Sequence, residues 1–83
     1  MTEQKSNEAE RERMVASCEE RREKLGISLR GFSKEAGLEP SYYGHWVAGQ
    51  FMFPSAQKLQ KIQSAFERLE QLEAFRASLV RSA

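Results

Sequence analysis

Residues 28–49, SLRGFSKEAGLEPSYYGHWVAG, decide the fold of this chain. Ser28 is a good N-cap for a helix over residues 29–36, because its side-chain oxygen accepts a hydrogen bond from an otherwise unpaired backbone N–H group. Gly37 is predicted to adopt the left-handed conformation that ends many helices. The stretch therefore begins with a short helix that has a defined start and a defined end.

A second short helix follows after only three residues. Glu39 is predicted to cap it, and Pro40 suits its first position, where a missing N–H group costs nothing. Gly49 closes this helix, which is predicted over residues 40–48. Two helices joined by the turn of residues 37–39 predict a helix-turn-helix.

The flanking sequence predicts further helices. Residues 7–25 form a strong amphipathic helix pattern, whereas residues 1–7 are predicted to be disordered. Beyond residue 55, apolar side chains recur in steps of three and four: Leu59, Ile62, Phe66, Leu69, Leu72, Phe75 and Leu79. Three successive steps of three rotate this stripe around a helix. Either the segment breaks near residues 68–70, or one long helix serves two surfaces; we favour the break.

The composition narrows the fold class. The chain has 83 residues, with 13 Lys+Arg, 12 acidic residues that are all Glu, and a net charge of +1. The scarcity of turn-forming and strand-forming residues favours an all-α chain. A domain of this size buries a modest core and is near the lower limit for independent stability. A partner subunit that adds stability would therefore be unsurprising.

The composition also argues against several functions. Cys18 lacks a second cysteine for a disulfide, and one cysteine with one histidine cannot supply a structural zinc site. No apolar run approaches the roughly 20 residues that span a bilayer, and the N-terminus is charged where a signal peptide is apolar. We expect a cytoplasmic protein without membrane contact. Without Asp, a second His or a glycine-rich phosphate loop, we expect no enzyme, no metal and no cofactor.

The stretch from Arg22 to Phe66 resembles the helix-turn-helix domain of the lambda-repressor-like family (the Cro/C1 or XRE type). The matching features are Ile27-Ser28, a small residue (Ser33) four before Gly37, the Trp-x-x-Gly of Trp46 and Gly49, and Pro54-Ser55. The resemblance implies a compact all-α bundle of about five helices. Its helix-turn-helix domain would span residues 8–67, followed by a C-terminal helical extension over residues 68–83.

The resemblance also implies a site. In this family the third helix lies in the major groove of double-stranded DNA, and its first residues reach base edges. The implied base-reading residues are Ser41, Tyr42, Gly44 and His45. The implied phosphate-binding residues are Arg30, Lys34, Gln50 and Lys58. His45 is the best-placed polar reader, since its ring can donate to guanine N7 or O6.

Several features depart from the family pattern. The third helix has no Arg, Lys, Asn or Gln, the side chains that make bidentate base contacts. Arg22 matches an arginine that in relatives pairs with a Glu, but the position of that Glu is Trp46 or Val47 here. With few cations a monomer would bind DNA weakly, so we expect two copies on one inverted-repeat operator.

Two apolar clusters are candidate interaction surfaces. The first is expected to form the homodimer interface: Leu72, Phe75, Leu79 and Val80. A symmetric pair would present two third helices about 34 Å apart, one turn of DNA. The second cluster is the loop Phe51, Met52 and Phe53, which either packs as satellite core or contacts a protein partner.

Two functional hypotheses result. The leading one is a small homodimeric transcription regulator, acting as a repressor on a short inverted-repeat operator. The alternative is a protein-interaction module, an antitoxin-like or anti-repressor-like adaptor, on a helix-turn-helix scaffold that has lost DNA binding. The near-neutral charge and the lack of long polar side chains on the third helix favour the alternative.

Overall fold

The computed structural model describes the backbone of residues 2–82 and the side chains of residues 6–81. All regular structure in that range is helical. Four helices follow one another: α1 (Thr2–Leu25), α2 (Leu29–Glu35), α3 (Tyr42–Val47) and α4 (Ala56–Ser82). The prediction of an all-α fold with a long C-terminal helical segment is confirmed.

Helix α4 is continuous, so the predicted break near residues 68–70 is wrong. The described residues therefore form four helices rather than about five. The rotating apolar stripe serves two surfaces of one continuous helix. Ile62 and Phe66 are fully buried in the core, whereas Leu72 and Phe75 are more than half exposed. The change of face therefore needs no interruption of the helix.

Helix α1 begins at Thr2, so the expectation of disorder is corrected for residues 2–7. Met1 lies outside the described residues. Residues 2–7 are helical because they include Glu, Gln and Lys, which have high helix propensities and extend the helical pattern that follows.

The predicted caps around α2 are confirmed. The Ser28 hydroxyl oxygen accepts a hydrogen bond from the Gly31 N–H at 2.9 Å. Gly37 has a φ of 72°, in the left-handed region. The Leu38 N–H then donates to the Ser33 carbonyl at 2.9 Å, which satisfies a carbonyl at the end of the helix.

The core forms where α2, α3 and α4 meet. The Phe32 ring stacks on Phe66, with centroids 4.2 Å apart, and contacts the Tyr43 ring at 4.8 Å. The buried apolar residues are Phe32, Ala36, Tyr43, Trp46, Ile62, Ala65 and Phe66. Full burial of each large apolar side chain stabilises the fold by about 1.5–3 kcal/mol. Cys18 of α1 packs against this core as a filler, and burial raises the pKa of its thiol.

Ser33 occupies the contact between α2 and α3. Its side chain is fully buried, and its oxygen accepts a hydrogen bond from the Tyr43 N–H at 3.0 Å. This N–H lies in the first turn of α3, where it has no partner within the helix. The small residue expected at this position therefore lets α2 and α3 approach closely, and its hydrogen bond stabilises the start of α3.

A polar network connects α1 to α3. The Tyr43 hydroxyl donates to Glu19 Oε2 at 2.8 Å, and Arg22 donates to the same oxygen at 2.7 Å. Arg22 Nη1 also donates to the Ile27 carbonyl at 2.7 Å. The hydrogen bond from Arg22 is the main cause of the lowered pKa of Glu19. Arg22 thus pairs with a Glu of its own helix. The family resemblance did not indicate this partner.

Gly44 of α3 packs beside Leu29 of α2. A Cβ atom at Gly44 would lie 3.8 Å from Leu29 Cδ1 and 3.9 Å from Leu29 Cβ, which are ordinary van der Waals distances. Leu29 is 36% exposed. It lies beside the glycine at the surface of the α2–α3 contact.

Gly44→Ala is predicted to stabilise the fold by about 1 kcal/mol. Alanine has the higher helix propensity, and the added methyl group contacts Leu29 without a clash. Urea unfolding measures the change. Gly31→Ala is the matched control: its Cβ would lie 2.9 Å from the capping oxygen of Ser28, so this variant should lose stability. A loss of stability in Gly44→Ala would contradict the described packing.

Candidate nucleic-acid interface

Helix α3 has one buried side and one exposed side. Tyr43 and Trp46 are fully buried and fix the inner side in the core. On the outer side His45 is exposed, and Ser41 and Tyr42 are half-buried. We call Ser41, Tyr42 and His45 the outer face of α3. Its members are accessible to a ligand without any change in the core.

Glu39 and Ser41 are joined at the start of α3. The Ser41 hydroxyl donates to Glu39 Oε2 at 2.6 Å, and the Ser41 N–H donates to the same oxygen at 3.1 Å. The hydroxyl bond is the main cause of the lowered pKa of Glu39. The prediction that α3 includes Pro40 is wrong, because the helix begins at Tyr42 and Pro40 lies in the preceding turn.

The ionised Glu39 bears directly on the predicted DNA contact. Its side chain is exposed, so its negative charge lies beside the outer face of α3 and repels phosphate. The carboxylate also engages the Ser41 hydroxyl, which must change its partner before it can contact a base. Sequence reasoning treated Glu39 only as a cap.

Tyr42 connects α3 to the start of α4. Its ring contacts Phe51, with centroids 5.0 Å apart, and Lys58 Nζ lies 4.5 Å from its centroid. Burial raises the pKa of Tyr42, and a hydrogen bond with the Ser55 backbone opposes that shift. The structure therefore brings Lys58, a predicted phosphate ligand, alongside the outer face of α3.

The other predicted phosphate ligands are exposed around α2 and α3. Arg30 and Lys34 lie on α2, and Gln50 follows α3. The charges of His45 and Arg30 contribute to the lowered pKa of Glu39, after the larger effect of its hydrogen bonds with Ser41. Arg30 and His45 are therefore both near enough to Glu39 to act on its charge.

The structure adds Arg11 of α1, which no sequence motif identified. Its guanidinium donates to the backbone carbonyls of Trp46, Val47 and Phe51. These acceptors lie 35–40 residues away in the chain. No sequence signal identifies them, because every residue carries the same carbonyl group.

The loop after α3 is tied to the core. The Trp46 Nε1–H donates to the Met52 carbonyl at 3.0 Å. Phe51 packs against the core cluster, as the satellite-core alternative expected. Phe53 is half-buried, whereas Met52 is 38% exposed. Met52 is thus the most accessible member of the predicted protein-partner surface.

The C-terminal half of α4 carries exposed apolar side chains. The exposed fractions are 54% for Leu72, 62% for Phe75, 55% for Leu79 and 72% for Val80. At 3.6 residues per turn, the first three lie within about 60° of one another around the helix, and Val80 is about 100° from Leu79. We call Leu72, Phe75 and Leu79 the C-terminal stripe.

The C-terminal stripe continues the side of α4 that faces the end of α2. Arg68 lies on the same side of α4. Its Nη2 donates to the Glu35 carbonyl at 2.7 Å and lies 3.3 Å from the Glu35 carboxylate. The stripe therefore begins one turn beyond Arg68, which contacts the end of α2.

Comparisons with known proteins identify the family. A helix-turn-helix family model, HTH_3, matches residues 19–70, more than half of the chain. No curated protein and no solved structure matches the chain. Within the part of the chain described, no helix combines the length and apolar character needed to cross a membrane. Domains of the matched family bind DNA and are not typically enzymes. The resemblance noted in the sequence is thereby confirmed, and the chain belongs to the Cro/C1-type (XRE) helix-turn-helix family of DNA-binding transcription regulators.

Proposed function

We propose that this protein is a repressor that binds a short inverted-repeat operator in double-stranded DNA as a homodimer. The observation that carries the proposal is the division of α3 into a fixed inner side and an accessible outer face. A recognition helix needs both properties, because base readout depends on side chains held at defined positions in the major groove. A dimer bound in this way represses by excluding other proteins from the same duplex.

Base reading is assigned mainly to His45. It is exposed, and its ring nitrogens can donate to guanine N7 or O6. Ser41 contributes a weaker contact after it exchanges the Glu39 carboxylate for a base. Gly44 has no side chain to read a base, and its predicted role in the groove is close approach to the DNA. It also lies beside Leu29, so it has a packing role between α2 and α3.

Phosphate binding is assigned to exposed side chains around α3: Arg30, Lys34, Gln50 and Lys58. Tyr42 holds the Lys58 ammonium group, and such cation–π contacts contribute about 0.5–1 kcal/mol at exposed sites. The net charge of +1 and the nearby Glu39 limit affinity for the duplex. A single subunit would therefore bind weakly, and two subunits on one operator would double the contacts.

The homodimer is assigned to the C-terminal stripe, with Val80 at its edge. The three stripe side chains are more than half exposed and lie side by side, so a second copy could cover them. A two-fold axis through this patch pairs the same surface of both subunits, as in most homodimers.

The length of α4 relates this pairing to DNA geometry. The middle of the stripe lies about 26 Å along α4 from Lys58, at 1.5 Å per residue. Lys58 marks the recognition end because it contacts Tyr42. Two α4 helices crossing at about 80° would place these ends about 34 Å apart, one turn of DNA. Antiparallel pairing would separate them by about 52 Å. We therefore propose a crossed pair, which also fits a stripe only about two turns long.

Binding to random duplex DNA tests the DNA function. The protein should bind weakly at low salt, and its affinity should fall steeply as salt rises, because phosphate contacts release counterions. Arg30→Gln and Lys34→Gln should each reduce the logarithmic salt slope by about 0.9. Arg81→Gln, which removes a charge from the exposed side of α4 opposite Leu72, is the matched control and should leave the slope unchanged. No binding at low salt would reject the proposal in favour of the protein-interaction module.

Leu72→Glu tests the dimer surface. A buried carboxylate without a partner is costly, so this variant should sediment as a monomer at concentrations where the unaltered protein is a dimer. Ala77→Glu adds the same charge on the side of α4 that faces α1 and should leave the dimer intact. A Leu72→Glu protein that stays dimeric would place the interface elsewhere.

A further inference from the structure

Helix α3 has six residues, one of them Gly44, and its carbonyl end needs partners from outside the helix. Backbone N–H groups just beyond α3 donate to the Gly44, His45 and Trp46 carbonyls. The Arg11 guanidinium adds further donors. It donates to the Trp46 carbonyl and, at 3.5 Å, to the Val47 carbonyl. Its positive charge also lies at the negative end of the helix dipole, which is a favourable placement.

The same guanidinium connects the end of α3 to the following loop. Arg11 Nε donates to the Phe51 carbonyl at 3.3 Å. The Phe51 ring in turn contacts the ring of Tyr42 at the start of α3. One side chain of α1 therefore contacts the last turn of α3 directly and its first turn through Phe51.

Arg11 lies outside residues 19–70, the part of the chain that the family model matches. The N-terminal half of α1 thus adds a contact with α3 beyond the matched helix-turn-helix. The contact is polar and directional, because the planar guanidinium donates several hydrogen bonds in a fixed geometry that an ammonium group cannot reproduce.

We propose that Arg11 is a positioning residue: it sets the orientation of α3 and so the ability of the outer face to discriminate between DNA sequences. This inference rests on the proposed DNA-binding function. Arg11 acts through the backbone of α3 rather than as a phosphate ligand, since its Nε and Nη2 groups are engaged by three carbonyl oxygens.

The test compares Arg11→Lys and Arg11→Ala with Arg13→Lys and Arg13→Ala. Arg13 is exposed two residues further along α1, so its variants control for the same change in side chain and charge. Arg11→Lys keeps the charge and provides a second variant should Arg11→Ala unfold. The operator used is the sequence that the unaltered protein selects from a random DNA pool.

Amide hydrogen exchange without DNA gives the first readout. In Arg11→Lys the N–H groups of Ala48, Gly49 and Gln50 should exchange faster, because their hydrogen bonds lie at the end of α3. The N–H groups of Phe32 and Ala36 in α2 should keep their rates. Uniformly faster exchange would indicate a general loss of stability and would overturn the positioning role.

The ratio of operator affinity to random-DNA affinity gives the second readout. Arg11→Lys should lower this ratio about tenfold, similar to the effect of one mismatched base pair, and Arg11→Ala should lower it with an unchanged salt slope. Both Arg13→Lys and Arg13→Ala should keep the ratio.

Three further results, from the binding measurements, would overturn the inference, and they have different meanings. An unchanged ratio in both Arg11 variants would reject the positioning role while leaving DNA binding intact. A salt slope reduced by about 0.9 in Arg11→Ala would identify Arg11 as a phosphate ligand instead. An absence of DNA binding by the unaltered protein would reject the proposed function together with this inference.

Discussion

The short length of α3 is the constraint on which the rest of the structure depends. An isolated helix of fewer than about 12 residues is marginal in water, and α3 has six. Its shape is therefore maintained by other elements: Trp46 is buried in the core, Ser33 accepts the Tyr43 N–H, and Glu19 accepts the Tyr43 hydroxyl. Arg11 completes this set at the opposite end. The accessible residues of α3 owe their positions to the whole bundle.

The charge distribution explains why a second subunit matters for the proposed function. Cations around α3 are opposed by the ionised Glu39, and the chain as a whole carries a charge of only +1. Electrostatic attraction to a duplex is correspondingly modest for one copy. The long α4 combines both requirements, since Phe66 lies in the core while the C-terminal stripe remains available to a second copy.

Local signals in the sequence predicted much of the fold. The capping roles of Ser28 and Gly37 depend only on residues a few positions away in the chain. They were therefore predictable from residue type and spacing. The continuity of α4 was not predictable, because the spacing of apolar residues does not reveal that one continuous helix serves two surfaces. Arg11 was also missed, since its acceptors are backbone carbonyls distant in the chain. The candidate DNA-binding residues were taken from the positions that correspond to the recognition helix of the family. Their contacts with DNA stay a prediction.

The most direct test is to map the DNA-contacting surface by NMR. Isotope-labelled protein would be titrated with the operator duplex selected from a random pool, and amide shifts followed residue by residue. The largest changes are predicted at Ser41, Tyr42 and His45, with smaller ones at Lys58. Changes confined to residues 51–53, or to the exposed C-terminal half of α4, would contradict the assignment of α3 as the recognition helix.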